Sequence, residues 1–429
     1  MNQQRKELLD AVEHDAAEVI DLARSLIRFP SENRPPHGDE GPCQQYVADW
    51  MGEVFPEVDV FAPTDVQGIE SHPAFWPGRD YTNRPNVVGV LKGRGGGRSV
   101  IFNGHIDVVP KEPLPWVHDP YGAILEDNRI YGRGSLDMKG GLAASMMAAR
   151  IVRRSGLRLA GDLILESVVD EEYAGANGTL ACVLRGYTAD AAVSPEPTWM
   201  TIGPATRCGR LYEIAASGVA GLPFSNMGVA NPAYLIARMA LGVEAFDRKR
   251  NAQPAAHPIF APSPWPQPAS VVKLKAGQVE PGGTIGIPAE AWLHFWLYAM
   301  PEVTAEELDQ EVRAFFDEWI RGDPALRANP PILRPQTRFL EGSIVPSDHP
   351  ILGVLAESFG AVMNRPGPVK DIEVTGDMGI LAHWGRTPTV VLGPGGERLH
   401  AADEYVDVGD LLDLTRIYAL MIADWCGIC

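Results

Sequence analysis

Apolar residues near the start of the chain recur at three- and four-residue steps: Leu8, Leu9, Val12, Ala16, Val19 and Ile20. That spacing lines one face of a helix. It stops at Phe29-Pro30-Ser31, where proline ends a helix. A second helical pattern covers 43–55. The runs 58–61, 86–91 and 99–102 are short, β-branched and almost continuously apolar, which predicts strands of a sheet covered on both faces. Residues 140–154, rich in Ala, Met and Leu, predict a helix, and 162–169 and 191–194 predict strands. Near the C-terminus, 389–392 predicts a strand and 409–425 a helix. Strands alternating with helices predict an α/β domain built on a mostly parallel sheet.

The middle of the chain has a different grammar. Strand patterns at 211–217, 270–275 and 291–298 alternate with helical patterns at 231–246 and 304–319. The last helix opens with Thr304-x-x-Glu307, a capping-box spacing. We therefore expect an α/β domain over 1–208 and 326–429, interrupted by a smaller α+β domain over 209–325. A proline-rich loop at 254–270 reads either as a flap over a site or as a surface excursion stiffened by proline.

Composition narrows the function classes. The 429 residues correspond to about two to three domains. With 45% hydrophobic and 21% charged residues, a largely disordered chain is excluded. Lys plus Arg number 37 against 55 Asp plus Glu, a net charge of −18. That balance argues against nucleic acid or an anionic membrane as partner and leaves a small-molecule substrate. No apolar run approaches the roughly 20 residues that span a bilayer. The charged N-terminal helix lacks the apolar core of a signal peptide. Five cysteines, few and odd in number, point to a reducing cytoplasm.

Acidic and histidine residues follow short apolar strands five times. Strand 99–102 leads to His105 and Asp107, 128–131 to Asp137, and 162–169 to Asp170-Glu171-Glu172. Strand 191–194 leads to Glu196, and 389–392 to His400. In an open α/β sheet, sites lie beyond the carboxyl ends of strands, so five segments are expected to deliver these groups to one edge. Imidazole nitrogen and carboxylate oxygen suit Zn²⁺, with Mn²⁺ or Co²⁺ as substitutes. Two histidines and three carboxylates exceed one four-coordinate catalytic zinc and suit two ions sharing a bridging carboxylate. Asp107 can accept the second ring N–H of His105. One of Glu171 and Glu172 can ligate while the other moves a proton.

The strings Gly104-His105-Ile106-Asp107-Val108-Val109-Pro110 and Tyr131-Gly132-Arg133-Gly134-Ser135-Leu136-Asp137-Met138-Lys139-Gly140-Gly141 are more specific. With them go Asp170-Glu171-Glu172, Ser194-Pro195-Glu196-Pro197, Gly393-Pro394-Gly395, His400 and Glu404-Tyr405-Val406. Together they resemble the co-catalytic metallopeptidase family of acetylornithine deacetylase, succinyl-diaminopimelate desuccinylase, aminoacylase and glutamate carboxypeptidase. Trp116 and Asp119-Pro120 match the linker between its first two motifs. The resemblance implies a two-zinc hydrolase with an inserted lid domain through which it forms a homodimer or larger homo-oligomer. It implies His105 and Glu196 as ligands of one metal, Glu172 and His400 of the other, and Asp137 as the bridge. Glu171 matches the general base and Asp107 the residue orienting His105. The bond after the bridging Asp is often cis in such proteins.

Two positions depart from that family. Leu222 falls where relatives carry an oxyanion-stabilising histidine, in the segment running on to Pro223-Phe224-Ser225. Tyr298 falls where they carry a carboxylate-binding arginine, within Trp292-Leu293-His294-Phe295-Trp296-Leu297-Tyr298. That aromatic run reads as a core or interface strand, or as one wall of a ring-binding pocket. The expected activity is hydrolysis of a C–N bond, most simply in an N-acyl amino acid. The alternatives are hydrolytic deamination of an activated aromatic amine, as in a nitroanthranilate-type aminohydrolase, and a non-catalytic paralogue. His118, His349, His383, Arg207, Arg210, Arg398, Lys139 and the Cys426/Cys429 pair lie near motifs and are read as structural.

Overall fold

The computed structural model describes residues 3–429 except 112, 114, 223–229, 256, 278–285 and 374. Two compact units emerge, Met1–Thr206 with Ser343–Cys429, and Arg207–Gly342. The inserted segment runs past the expected 325 because strand Ile332–Pro335 pairs antiparallel with Cys208–Ser217.

The larger unit is built on a six-stranded sheet. Its order is Thr389–Val391, Ala191–Ser194, Val100–His105, Leu163–Val168, Asn86–Leu91, Glu57–Phe61. The first four strands are mutually parallel, and the last two join antiparallel. Side chains alternate between two cores, as a period of two requires. Val100, Phe102, Leu163, Leu165 and Val193 enter one, with residues of helices Gly140–Arg154 and Val408–Cys426. Ile101, Ile164, Val168 and Ala192 enter the other, under helices Gly178–Arg185 and Met378–His383. Burial on both faces explains why these strands read as unbroken apolar runs. The N-terminal pattern forms two helices, Gln3–His14 and Ala16–Ile27.

One strand does not join the main sheet. Arg129–Tyr131 pairs with Ile124–Glu126 and Tyr405–Asp407 in a separate antiparallel sheet. The cause is local. Asp127 and Asn128 both take left-handed conformations, with φ of 48° and 59°, the geometry of a tight hairpin. Four main-sheet strands, rather than five, therefore lead to the residues expected in the site.

In the inserted unit, strands Ala269–Ala276, Glu290–Ala299, Cys208–Ser217 and Ile332–Pro335 form an antiparallel sheet in that order. Helices Pro232–Arg250 and Ala305–Gly322 supply Leu235, Met239, Val243, Phe246, Val312 and Phe316 to its core. The Thr304 capping box forms as the spacing predicts. Along the aromatic strand, Leu293, Phe295 and Leu297 are buried in that core, while Trp292, His294, Trp296 and Tyr298 alternate to the opposite face. The proline-rich loop is tied to the end of its neighbouring helix. Trp265 donates to Asp247, Arg250 to the Gln267 carbonyl, and Phe260 is buried.

The two glycines that open helix Gly140–Arg154 let the chain pass close to its neighbours. A Cβ on Gly141 would lie 2.1 Å from the Pro195 carbonyl oxygen. Gly141→Ala should therefore cost about 1–3 kcal/mol in urea unfolding, the usual range for overpacking. Gly52→Ala, on a helix with nothing within 4 Å of the new Cβ, should leave the midpoint unchanged or raise it. Equal midpoints for the two variants would contradict the close approach.

Candidate metal centre

His105 ends its strand with a side chain 1% exposed. Its Nε2 lies 3.1 Å from Asp137 Oδ1, 3.4 Å from Glu196 Oε1 and 3.9 Å from Glu171 Oε2. On the other side of the same carboxylate, His400 Nε2 lies 3.1 Å from Asp137 Oδ2 and 3.1 Å from Glu172 Oε2. The Asp137–Met138 peptide bond is cis. Asp137 thus faces one imidazole with each oxygen, and a glutamate stands beyond each imidazole. Among the described residues, His105 with Glu171 and Glu196, and His105 with Asp137 and Glu172, place ligand atoms within 4.8 Å of one another. Four acids so close together repel unless cations sit among them. Nitrogen and carboxylate oxygen are the donor set that zinc and its neighbours accept.

The electrostatics agree with that geometry. The Glu172 charge pushes the His400 imidazole up to about 11. Burial pushes His105 down, but the Glu196 charge and the Asp137 hydrogen bond outweigh it and leave His105 well above its ordinary range. Burial likewise opposes ionisation of Asp137, yet hydrogen bonds from both histidines hold it well below the usual carboxylate range. Burial, then the Asp137 charge, pushes Glu196 up to about 7. Burial raises Glu171 well above its ordinary value, and the His105 charge only partly offsets this.

Asp107 is fully buried and faces both His105 and the Glu171–Glu172 turn. The His105 Nδ1 points at the Asp107 backbone carbonyl, 2.9 Å away, while the carboxylate is 3.6 Å off. The carboxylate instead accepts the backbone N–H groups of Glu171 and Glu172 at 3.1 and 3.0 Å. Asn33 Nδ2 donates to it at 2.7 Å and to Asp170 at 2.9 Å. Asp170, at φ 71°, is held by Arg79, Tyr81 and Arg84. A two-residue spacing from a histidine allows either target, so sequence reasoning missed the backbone role. It also missed Asn33, Arg79, Tyr81 and Arg84, whose segments carry no periodicity or motif.

The residues read as structural have other employment. His118 contacts Asp403 and Glu126 and stacks on Tyr131. His349 caps helix Pro350–Met363, and His383 packs on Trp384. Arg210 pairs with Asp309 and Arg398 with Asp403. Lys139 Nζ donates to the Phe29 carbonyl. Cys426 is buried and Cys429 exposed. Leu222 is 56% exposed and carries no polar donor, while the neighbouring Pro223-Phe224-Ser225 lie outside the described residues.

An α/β sheet whose strand ends gather histidines and carboxylates around one shared aspartate defines a metal-dependent hydrolase, here one acting on C–N bonds. The chain belongs to peptidase family M20/M25/M40, whose model matches residues 101–424. It is 29% identical over 453 aligned positions to the N-formyl-4-amino-5-aminomethyl-2-methylpyrimidine deformylase of Bacillus subtilis (strain 168), covering 100% of this chain and 99% of that protein. Human carnosine dipeptidase 1 shares the fold at a TM-score of 0.74 and 15% identity, with 98% of this chain and 99% of that one covered. A Bacillus subtilis protein described as a dinuclear metal binding peptidase from the M20 family superposes at 0.57 and 15% identity, covering 96% and 99%. Among the described residues, no helix is long and apolar enough to cross a membrane.

With both histidines raised, the metal-free protein holds at least one proton that an ion must displace. Metal uptake should release protons near pH 7, and affinity should fall as pH falls. Calorimetry in buffers of different ionisation enthalpy measures this release. Buffer-independent heats and a flat pH profile would contradict the assignment. Asp107→Asn should lower metal affinity by about 10–100-fold, because an amide cannot accept both backbone N–H groups and the Asn33 donor.

Proposed function

We propose that this protein hydrolyses the amide of a small N-acyl amine, releasing a short carboxylic acid and a free amine. The observation that carries the reading is the single carboxylate of Asp137 set 3.1 Å from each of two imidazoles, with the half-buried Glu171 beside one of them. His105 and Glu196 would hold one ion, His400 and Glu172 the other, and Asp137 both, most simply as a zinc pair. Bound there, such ions supply Lewis acidity toward water and the scissile carbonyl. Glu171, raised by burial, accepts a proton from the attacking water and delivers it to the departing nitrogen. Asp107 keeps the Glu171–Glu172 turn in register for that transfer. The leucine side chain at 222 has no donor to offer a developing oxyanion.

The short acyl group is supported by the end-to-end similarity to a deformylase of an aminomethylpyrimidine. An N-formylated aminomethyl heteroaromatic amine is thus the first substrate to try, ahead of N-acyl amino acids. Five free cysteines support a reducing cytoplasm as the working compartment. The inserted unit is proposed to pair two copies. On strand Ala269–Ala276, at the end of its sheet, Val272 and Leu274 are more than half exposed, apolar surface that a second copy would cover.

The test is a product-resolved assay of zinc-loaded protein with N-formyl, N-acetyl and N-succinyl amines and amino-benzoates. Formate or another short acid should appear together with free amine. Ammonia released from a ring, with every amide untouched, would overturn the reading. Glu171→Ala should lower turnover by about 10²–10⁴-fold, the range for a lost general acid–base, with metal content unchanged.

A further inference from the structure

Glu404 is fully buried, four residues beyond His400 and directly before strand Tyr405–Asp407. Its side chain does not face an imidazole. Oε1 accepts the backbone N–H groups of Leu136 and Asp137 at 2.9 and 3.1 Å. Oε2 accepts the Gly134 N–H at 3.1 Å and Arg133 Nη1 at 2.7 Å. In the same place the Gly132 N–H donates to the Glu404 carbonyl at 2.9 Å. The turn 132–137 leads into helix Gly140–Arg154, and N–H groups at such an entrance lack helical partners. Left unmet in a buried turn, they are costly.

We propose that Glu404 is a positioning residue of the metal centre, which sets affinity for both ions by clamping the backbone of Asp137 to the segment carrying His400. The proposal rests on reading Asp137 as the shared ligand. Asp137 and His400 come from segments far apart in sequence, and strand pairing joins those segments only as far as Tyr131 and Tyr405, so the 3.1 Å carboxylate–imidazole separation calls for a further link at the turn that carries Asp137. Glu404 supplies it, since its carboxylate grips one segment while its backbone belongs to the other. Asp107 makes the corresponding contact at the Glu171–Glu172 turn. The centre is thereby framed by two buried carboxylates that act on ligand-bearing backbones and leave the ligands' own oxygens and nitrogens for metal.

The clamp requires an acceptor at both oxygens. Glu404→Gln replaces one with an amide that donates, so at least one side of the turn is released. Competition with a chromophoric chelator should show zinc binding weakened about 10–100-fold, the range for residues supporting ligands. Both ions should weaken together, because the released aspartate serves both. Amide hydrogen exchange in the metal-free variant should quicken across 132–140 while the strand Val100–His105 keeps its protection. Should Glu404→Gln not fold, Glu404→Asp keeps the charge on a shorter arm and should show the same two changes in smaller measure. Variants that bind two ions with wild-type affinity and exchange like wild type would overturn the clamp alone. Wild-type protein that takes up no ion would instead overturn the reading on which it rests.

Discussion

Two imidazoles approach one carboxylate from opposite sides, and most of the larger unit exists to keep them there. Asp137 is half-buried, flanked at 3.1 Å by His105 and by His400, with three further acids crowded behind. Left to itself, such a cluster is a liability, because burial and mutual repulsion both oppose its ionisation. The protein meets that liability with rigid backbone. His105 ends a buried strand, Glu196 follows another, and Asp137 enters a helix whose opening glycines allow contact with Pro195 at backbone distance.

Around the cluster lies a layer of polar groups that bind the backbone of its turns. Asp107 holds the N–H groups of the Glu171–Glu172 turn, Asn33 links it to Asp170, and Arg79 and Arg84 neutralise Asp170 from the segment between strands Glu57–Phe61 and Asn86–Leu91. Glu404 does the same for the turn of Asp137. Asp107 and Glu404 are both buried and each accepts several hydrogen bonds, the arrangement that a buried carboxylate needs.

The main sheet was legible in the sequence because its strands are covered on both faces. Val100, Phe102, Leu163 and Ile164 had to be apolar regardless of which way each pointed. The residues of the candidate centre were legible for a different reason. Each lies just past a short strand, inside a string whose neighbours serve close packing, such as Gly140-Gly141 after Asp137. What stayed hidden is tertiary. Two left-handed residues, Asp127 and Asn128, divert the following strand out of the main sheet, and propensity alone does not announce that. Asn33 and Arg79 gain their meaning only when distant segments meet. The Asp107 carboxylate could have served either an imidazole or a backbone turn, and spacing could not choose. The inserted unit outgrew its expected end because Ile332–Pro335 finds its partner strand more than a hundred residues upstream.

The shared aspartate is the claim on which everything else depends, and anomalous scattering from crystals grown with zinc addresses it directly. Two peaks are expected, one beside His105 and Glu196 and one beside His400 and Glu172, each within about 2.0–2.2 Å of a different oxygen of Asp137. A single peak, or a pair in which Asp137 touches neither ion, would contradict the account.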